Sequence, residues 1–267
     1  MLDPLEGLDA HGFITTGVRR DRVPPTFEPL LDQACAGLSS ALPSAVAPGQ
    51  ARAGLYLYGS VATGRAVSGV SDVDLFTIGL PSDVSTAVAR QLSSRHAGLC
   101  RAVEIGAAQP EDFVGTGDAA YGNRVFLRHY CLPLLGAETS EDVGPFRGDL
   151  AAARGFNGDI GSCLERWRQL LAEGATASLG RRIARKTLLA VAGLVSVHDA
   201  TWTTDRMTSA KRWSLIRPDL APPLLQLAAW AEGISLPAAS DVRACLEGDG
   251  VVPAVVDDFR RRIGLWS

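Results

Sequence analysis

The chain has 267 residues, 46% hydrophobic and 21% charged, with a net charge of −3 and a pI near 5.8. That balance describes a globular protein with enough chain for one large domain or two modest ones, and it argues against a general nucleic-acid binder, which carries a basic surplus. Five scattered cysteines, odd in number and without a CxxC pair, fit a reducing cytoplasm better than a disulfide framework or a zinc site.

The opening MLDPLEGLDAHGF is mixed polar and acidic, unlike a signal peptide, and residues 1–25 read as irregular up to Pro24-Pro25. Thr26 can cap a helix running to about Leu42, with apolar positions at Phe27, Leu30, Leu31, Ala34 and Leu38. Pro43, Pro48 and Gly49 mark a loop. Strands are expected near 54–58 and 72–79, then a turn at Pro81-Ser82-Asp83 and a helix to about Ser94. A further strand is expected near 100–106. Glu111 and Asp112, behind Pro110, read as a helix start. Residues 124–135 (RVFLRHYCLPLL) fit a strand pair or a strand meeting a helix, and periodicity does not decide between them.

From Asp149 the pattern turns helical, over 149–173, 180–198, 205–216, 220–232, 237–247 and 253–265. Gly174, Pro218, Pro222-Pro223 and Pro237 mark the joints. No apolar run approaches the ~20 residues of a membrane span. The expected architecture is α+β: a head over 1–148 with a mixed sheet and helices, and an all-α domain over 149–267.

The most informative stretch is GLYLYGSVATGRAVSGVSDVDLFTIGL, residues 54–80. An apolar run ends at Gly59-Ser60, a small-residue loop follows, and a second apolar run carries Asp72 and Asp74. Side chains alternate along a strand, so the two carboxylates share a face. Glycine lets backbone N–H groups approach a phosphate closely, and the Ser60 hydroxyl can add a bond. Carboxylate oxygens beside such a loop suit divalent magnesium and a triphosphate. The plainer alternative is a β-hairpin with two solvated aspartates.

These residues resemble the signature of the DNA polymerase β-like nucleotidyltransferases: hydrophobic-Gly-Gly/Ser, a spacer, then Asp-hydrophobic-Asp/Glu. Gly59, Ser60, Asp72 and Asp74 fill those places, and Ser71 and Gly64-Arg65 resemble the small bacterial members. The resemblance implies a nucleotidyltransferase head and transfer of a nucleoside monophosphate from a triphosphate, with AMP from ATP favoured, to a hydroxyl-bearing acceptor. It implies one or two Mg²⁺ ions held by Asp72 and Asp74, with Gly59, Ser60 and Ser71 at the nucleotide. It also implies a third acid on the following strand, as metal ligand or base. Glu104, in the strand Ala102-Val103-Glu104-Ile105, matches by strand order, and a solvated strand residue is the alternative.

Residues 185–213 resemble, more weakly, the helical domain of bacterial aminoglycoside 3''-adenylyltransferases, which closes on substrate and nucleotide. By spacing, Arg206 falls where those enzymes carry a nucleotide-contacting Lys, with Lys211 as an alternative. Two departures stand out. Gly193 occupies the place of a nucleotide-contacting Arg, and Leu179–Ile183 lacks the acids that hold a cationic drug. Arg181, Arg182, Arg185 and Lys186 form instead a basic cluster, either a solvated helix start or a site for an anion. The resemblance therefore supports the reaction class and not an aminoglycoside acceptor. A toxin-like enzyme acting on tRNA or protein, and a non-catalytic nucleotide-binding or antitoxin-like module, remain alternatives.

Lysine occurs only at 186 and 211, against 24 arginines among 26 basic residues, a bias of high-GC bacterial genomes. Arg124 and His129 share the spacing of some toxin ribonucleases of the HEPN type, whose motif needs a helix bundle. His198 reads as a helix C-terminal cap. Trp167, Trp202, Trp213 and Trp230 read as packing residues, with an acceptor-lining role for Trp202 or Trp213 as the alternative.

Overall fold

The computed structural model describes residues 5–42, 53–136, 143–173 and 177–267. The loop expected at Pro43, Pro48 and Gly49 and the joint at Gly174 lie outside these. The protein is α+β with a mixed sheet. It divides into two compact units. A sheet unit takes Thr16–Thr116 and Asn123–Phe146, and a helical unit takes Met1–Thr15, Gly117–Gly122 and Arg147–Ser267.

In chain order the elements are β1 (Gly7–Leu8), β2 (Ile14–Thr15), α1 (Glu28–Ser39), β3 (Gly54–Tyr58), α2 (Gly59–Ala62), β4 (Val73–Ile78), α3 (Ser82–Arg95), β5 (Val103–Ala108), α4 (Asp118–Tyr130) and β6 (Leu132–Gly136). The helices α5 (Leu150–Asn157), α6 (Ile160–Ala172), α7 (Ala177–His198), α8 (Arg206–Ile216), α9 (Ala221–Ala231), α10 (Ala239–Leu246) and α11 (Val251–Arg262) complete it.

The sheet unit is built on the strand order β5-β4-β3-β6. β3 runs antiparallel to both β4 and β6, while β4 and β5 are parallel. Alternation along the strands assigns the two faces. Leu55, Leu57, Val73 and Leu75 share a core with Phe27, Leu30, Leu31 and Leu38 from α1 and the turn before it, and with Leu92 of α3. Burial of each such side chain contributes about 1.5–3 kcal/mol. Tyr56 and Ile78 point the other way, into a second core with Phe113, Leu127 and Cys131. Phe126 of α4 closes that face edge-on to Tyr58 and Phe76, at ring-centroid distances of 5.3 and 5.7 Å.

The ambiguous stretch 124–135 is the end of α4 followed, after Cys131 alone, by β6. β6 is an edge strand with a register shift opposite Leu55/Tyr56, the position at which a sheet tolerates Pro133. Pro110–Phe113 forms a single 3-10 turn rather than the start of a longer helix. Arg124 donates to the carbonyls of Phe113 and Gly115, and His129 accepts the Phe146 N–H, so both serve to fasten loops.

In the helical unit, α7 packs against α5, α6, α8, α9, α10 and α11. Every residue of its run Ala190–Ser196 is buried, Gly193 included. A helix apolar on nearly every side is stable only when surrounded. A Cβ on Gly193 would touch Phe259 at 3.4 Å and Ala153 at 3.6 Å. The expected helix 149–173 is two helices, broken where Gly158 caps α5. The N-terminal segment is tied down by Glu6, which accepts from the Thr204 N–H and hydroxyl at 2.5 and 2.6 Å. Trp202 and Trp213 are 3% and 0% exposed, which makes both of them core residues.

Candidate functional site

The Gly59-Ser60 turn and the carboxylates meet at one end of the sheet. β3 stops at Tyr58, and α2 is a single turn that starts at Gly59. Gly59 has φ +74°, the left-handed region where glycine is unstrained. It also lies against Asp74: a Cβ built on Gly59 would stand 3.1 Å from Asp74 Cγ and nearer still to its Oδ2. The missing side chain is thus space that the Asp74 carboxylate uses.

Register brings the third acid in. Asp74 of β4 is opposite Tyr58 on one side and Glu104 of β5 on the other. Residues directly opposite in neighbouring strands project to the same face, so Tyr58, Asp74 and Glu104 form one row across three strands. Asp72 lies one residue before β4 and is two positions from Asp74. Asp72 and Asp74 are half-buried and Glu104 is exposed.

The loop between them is held by its own polar groups. The Thr63 hydroxyl donates to the Gly59 and Ser60 carbonyls, each at 3.2 Å, and the Arg65 N–H donates to the Ser60 carbonyl at 2.9 Å. Ser71 Oγ accepts the Val67 N–H at 2.9 Å, so its described contact shapes the loop.

One charged residue at this site belongs to no motif of the sequence. Arg101, just ahead of β5, forks onto Asp72: Nε donates to Oδ1 at 3.0 Å and Nη2 donates to Oδ2. Its backbone N–H also donates to the Ser71 carbonyl at 3.0 Å. The Asp72 hydrogen bond, and then the Asp72, Glu104 and Asp74 charges, hold the Arg101 pKa above its ordinary value. Burial, and then the Asp74 and Glu104 charges, push the Tyr58 phenol up. The only sequence signal for Arg101 is its place two residues before the strand of Glu104.

The donor set suits a hard divalent cation in type: carboxylate oxygens at a sheet end beside a glycine that leaves room for one of them. Among the described residues, however, no group of three or more His, Cys, Asp and Glu side chains is gathered as a metal cluster. Asp72 is turned to Arg101 and Glu104 to solvent.

Arg206 belongs to the helical unit. It opens α8 behind Asp205, whose carboxylate accepts the Thr208 N–H at 2.7 Å. Arg206 Nε is 3.9 Å from Glu232, and burial and the Arg185 charge act to lower its pKa. The basic cluster of α7 divides. Lys186 faces the α5–α6 junction, at 2.7 Å from Asp159 and bonded to the Phe156 carbonyl and Asn157 Oδ1. Arg185 reaches the Ala231 carbonyl at 3.5 Å, while Arg182 is exposed. Lys211 is also exposed.

No protein-family model matches the chain, and no curated protein matches it. Among the described residues no helix is long and apolar enough to cross a membrane.

Proposed function

We propose that the sheet unit is the catalytic head of a magnesium-dependent nucleotidyltransferase. In this reading it transfers a nucleoside monophosphate, AMP from ATP, to a hydroxyl of a small-molecule acceptor and releases pyrophosphate. The observation that carries this reading is the row of Asp74 and Glu104 across β4 and β5, with Asp72 two residues before Asp74 and Gly59 against the Asp74 carboxylate. The choice of ATP rests on the sequence resemblance.

Asp72 and Asp74 would hold the metal, with Glu104 completing the site or acting as base. When bound, Mg²⁺ neutralises triphosphate charge and lowers the pKa of the attacking hydroxyl. Gly59 and Ser60 would let the backbone approach the phosphates. The acceptor oxygen would form a bond to the α-phosphorus as the bond to the pyrophosphate oxygen breaks, and Glu104 would take the hydroxyl proton.

Two observations favour a second reading, a non-catalytic nucleotide-binding module: the fork of Arg101 on Asp72 and the exposure of Glu104. Incubation with each α-labelled nucleoside triphosphate, Mg²⁺ and a panel of hydroxyl-bearing acceptors separates the two. The catalytic reading predicts pyrophosphate release and a labelled product, both absent in Asp74→Asn. Nucleotide binding without release supports the module.

A further inference from the structure

We propose that Arg101 is a built-in counter-ion that competes with the divalent cation for Asp72, and so sets the affinity of the metal site. This rests on the metal-site reading above.

A carboxylate can present its two oxygens to a metal or to a guanidinium fork, and Arg101 engages both oxygens of Asp72. The fork is built by the backbone. The Arg101 N–H donates to the Ser71 carbonyl at 3.0 Å, and the Val73 N–H donates to the Ala102 carbonyl at 2.9 Å. These bonds lock the residues ahead of β4 and β5 side by side. Asp72 and Arg101, 29 positions apart in sequence, are thereby held facing each other.

The two partners differ in freedom. The Asp72 side chain is 15% exposed and that of Arg101 is 58% exposed. Asp72 is the fixed member, and Arg101 can leave it for solvent without disturbing a core. Three carboxylates at one sheet end repel one another, and Arg101 offsets part of that charge. A divalent cation offsets more, and binding it through Asp72 requires that Arg101 release at least one oxygen. The lost fork is subtracted from the cation's affinity, so removal of Arg101 strengthens metal binding.

The test is titration with Mn²⁺ alone, followed by the electron paramagnetic resonance signal of the free ion. The proteins are wild type, Arg101→Gln, Arg101→Lys and Asp74→Asn, each checked for native far-UV circular dichroism. Arg101→Gln should bind Mn²⁺ about three- to tenfold more tightly than wild type, the scale of a solvent-exposed, charge-assisted pair. Arg101→Lys, which keeps the charge and loses the fork, should fall between them, and Asp74→Asn should bind weakly. Equal affinity in wild type and Arg101→Gln overturns the proposal and leaves the metal site standing. Weaker binding in Arg101→Gln overturns it also, because Arg101 would then position Asp72 for the metal. Binding by neither protein overturns the metal-site reading itself. Should Arg101→Gln not fold, Arg101→Lys against wild type decides the same question.

Discussion

Gly59 is packed against the Asp74 carboxylate so closely that no side chain fits between them: a Cβ on Gly59 would lie 3.1 Å from Asp74 Cγ. The relation joins the end of β3 to the face of β4, and it makes the turn and the acid one structural unit. Gly59→Ala should therefore act twice. It forces a non-glycine residue to a φ of +74°, and it displaces Asp74. Thermal or urea unfolding should show a loss of about 1–3 kcal/mol, together with loss of Mn²⁺ binding. Gly69→Ala is the control. Gly69 has φ +75° and its nearest neighbour to a built Cβ is at 3.9 Å, so this variant should lose stability and keep the metal.

Asp74→Asn preserves shape and removes charge. Asp74 is half-buried at the sheet end, so the melting temperature should stay close to wild type. Turnover should fall by at least about a thousandfold, since the proposed site loses a metal ligand. Steady-state pyrophosphate release, read beside a melting curve, checks both parts.

The helical unit offers an acid titration that is independent of the site. Asp199 accepts from Arg212 at 2.7 and 2.8 Å and lies 2.8 Å from His198 Nδ1. The Arg212 hydrogen bond first, and then that of His198, lower its pKa from 3.8 to about 2. A depressed carboxylate stabilises the fold above its unfolded pKa, and that stability is lost as pH falls through the folded pKa. The contribution should be complete above pH 4 and disappear toward pH 2. Carboxyl NMR should show Asp199 titrating near 2 in wild type and shifted upward in Arg212→Ala, where the His198 contact remains.

Asp258 is 1% exposed and accepts from Arg217 at 2.5 Å and from Arg261 at 2.6 Å. Asp258→Ala leaves Arg217 with Asp219 as its remaining described partner. The loss should be roughly 2–3 kcal/mol, measured by urea denaturation, with metal binding in the sheet unit unchanged.

Much of this molecule is legible in the sequence because its strands and helices carry their own punctuation. β3 and β4 read clearly, since apolar runs are bounded by Gly59 and by Gly79 with Pro81. The long helix α7 reads from its unbroken apolar stretch. The α4–β6 junction does not, because one residue, Cys131, separates helix from strand and the nearby Pro133 lies inside the strand and not between the two elements. The break at Gly158 lies inside a continuous helical pattern. At the site, Gly59, Ser60, Asp72 and Asp74 are local in sequence and could be found by spacing. The alignment of Glu104 with Asp74 depends on which strands pair and in what register. Arg101 could not be found by spacing at all, because its partner is 29 positions away and the contact exists only once β4 and β5 lie in parallel.

Binding of a metal–nucleotide complex at the Gly59–Asp74–Glu104 sheet end is tested most directly by thermal shift. Wild type and Asp74→Asn are melted with ATP, CTP, GTP or UTP, each with and without Mg²⁺. The account predicts stabilisation of wild type by one nucleotide only when Mg²⁺ is present, on the order of 2–3 kcal/mol at a hundredfold excess over Kd, and its absence in Asp74→Asn. An equal shift in both proteins, or none with any nucleotide, would contradict it.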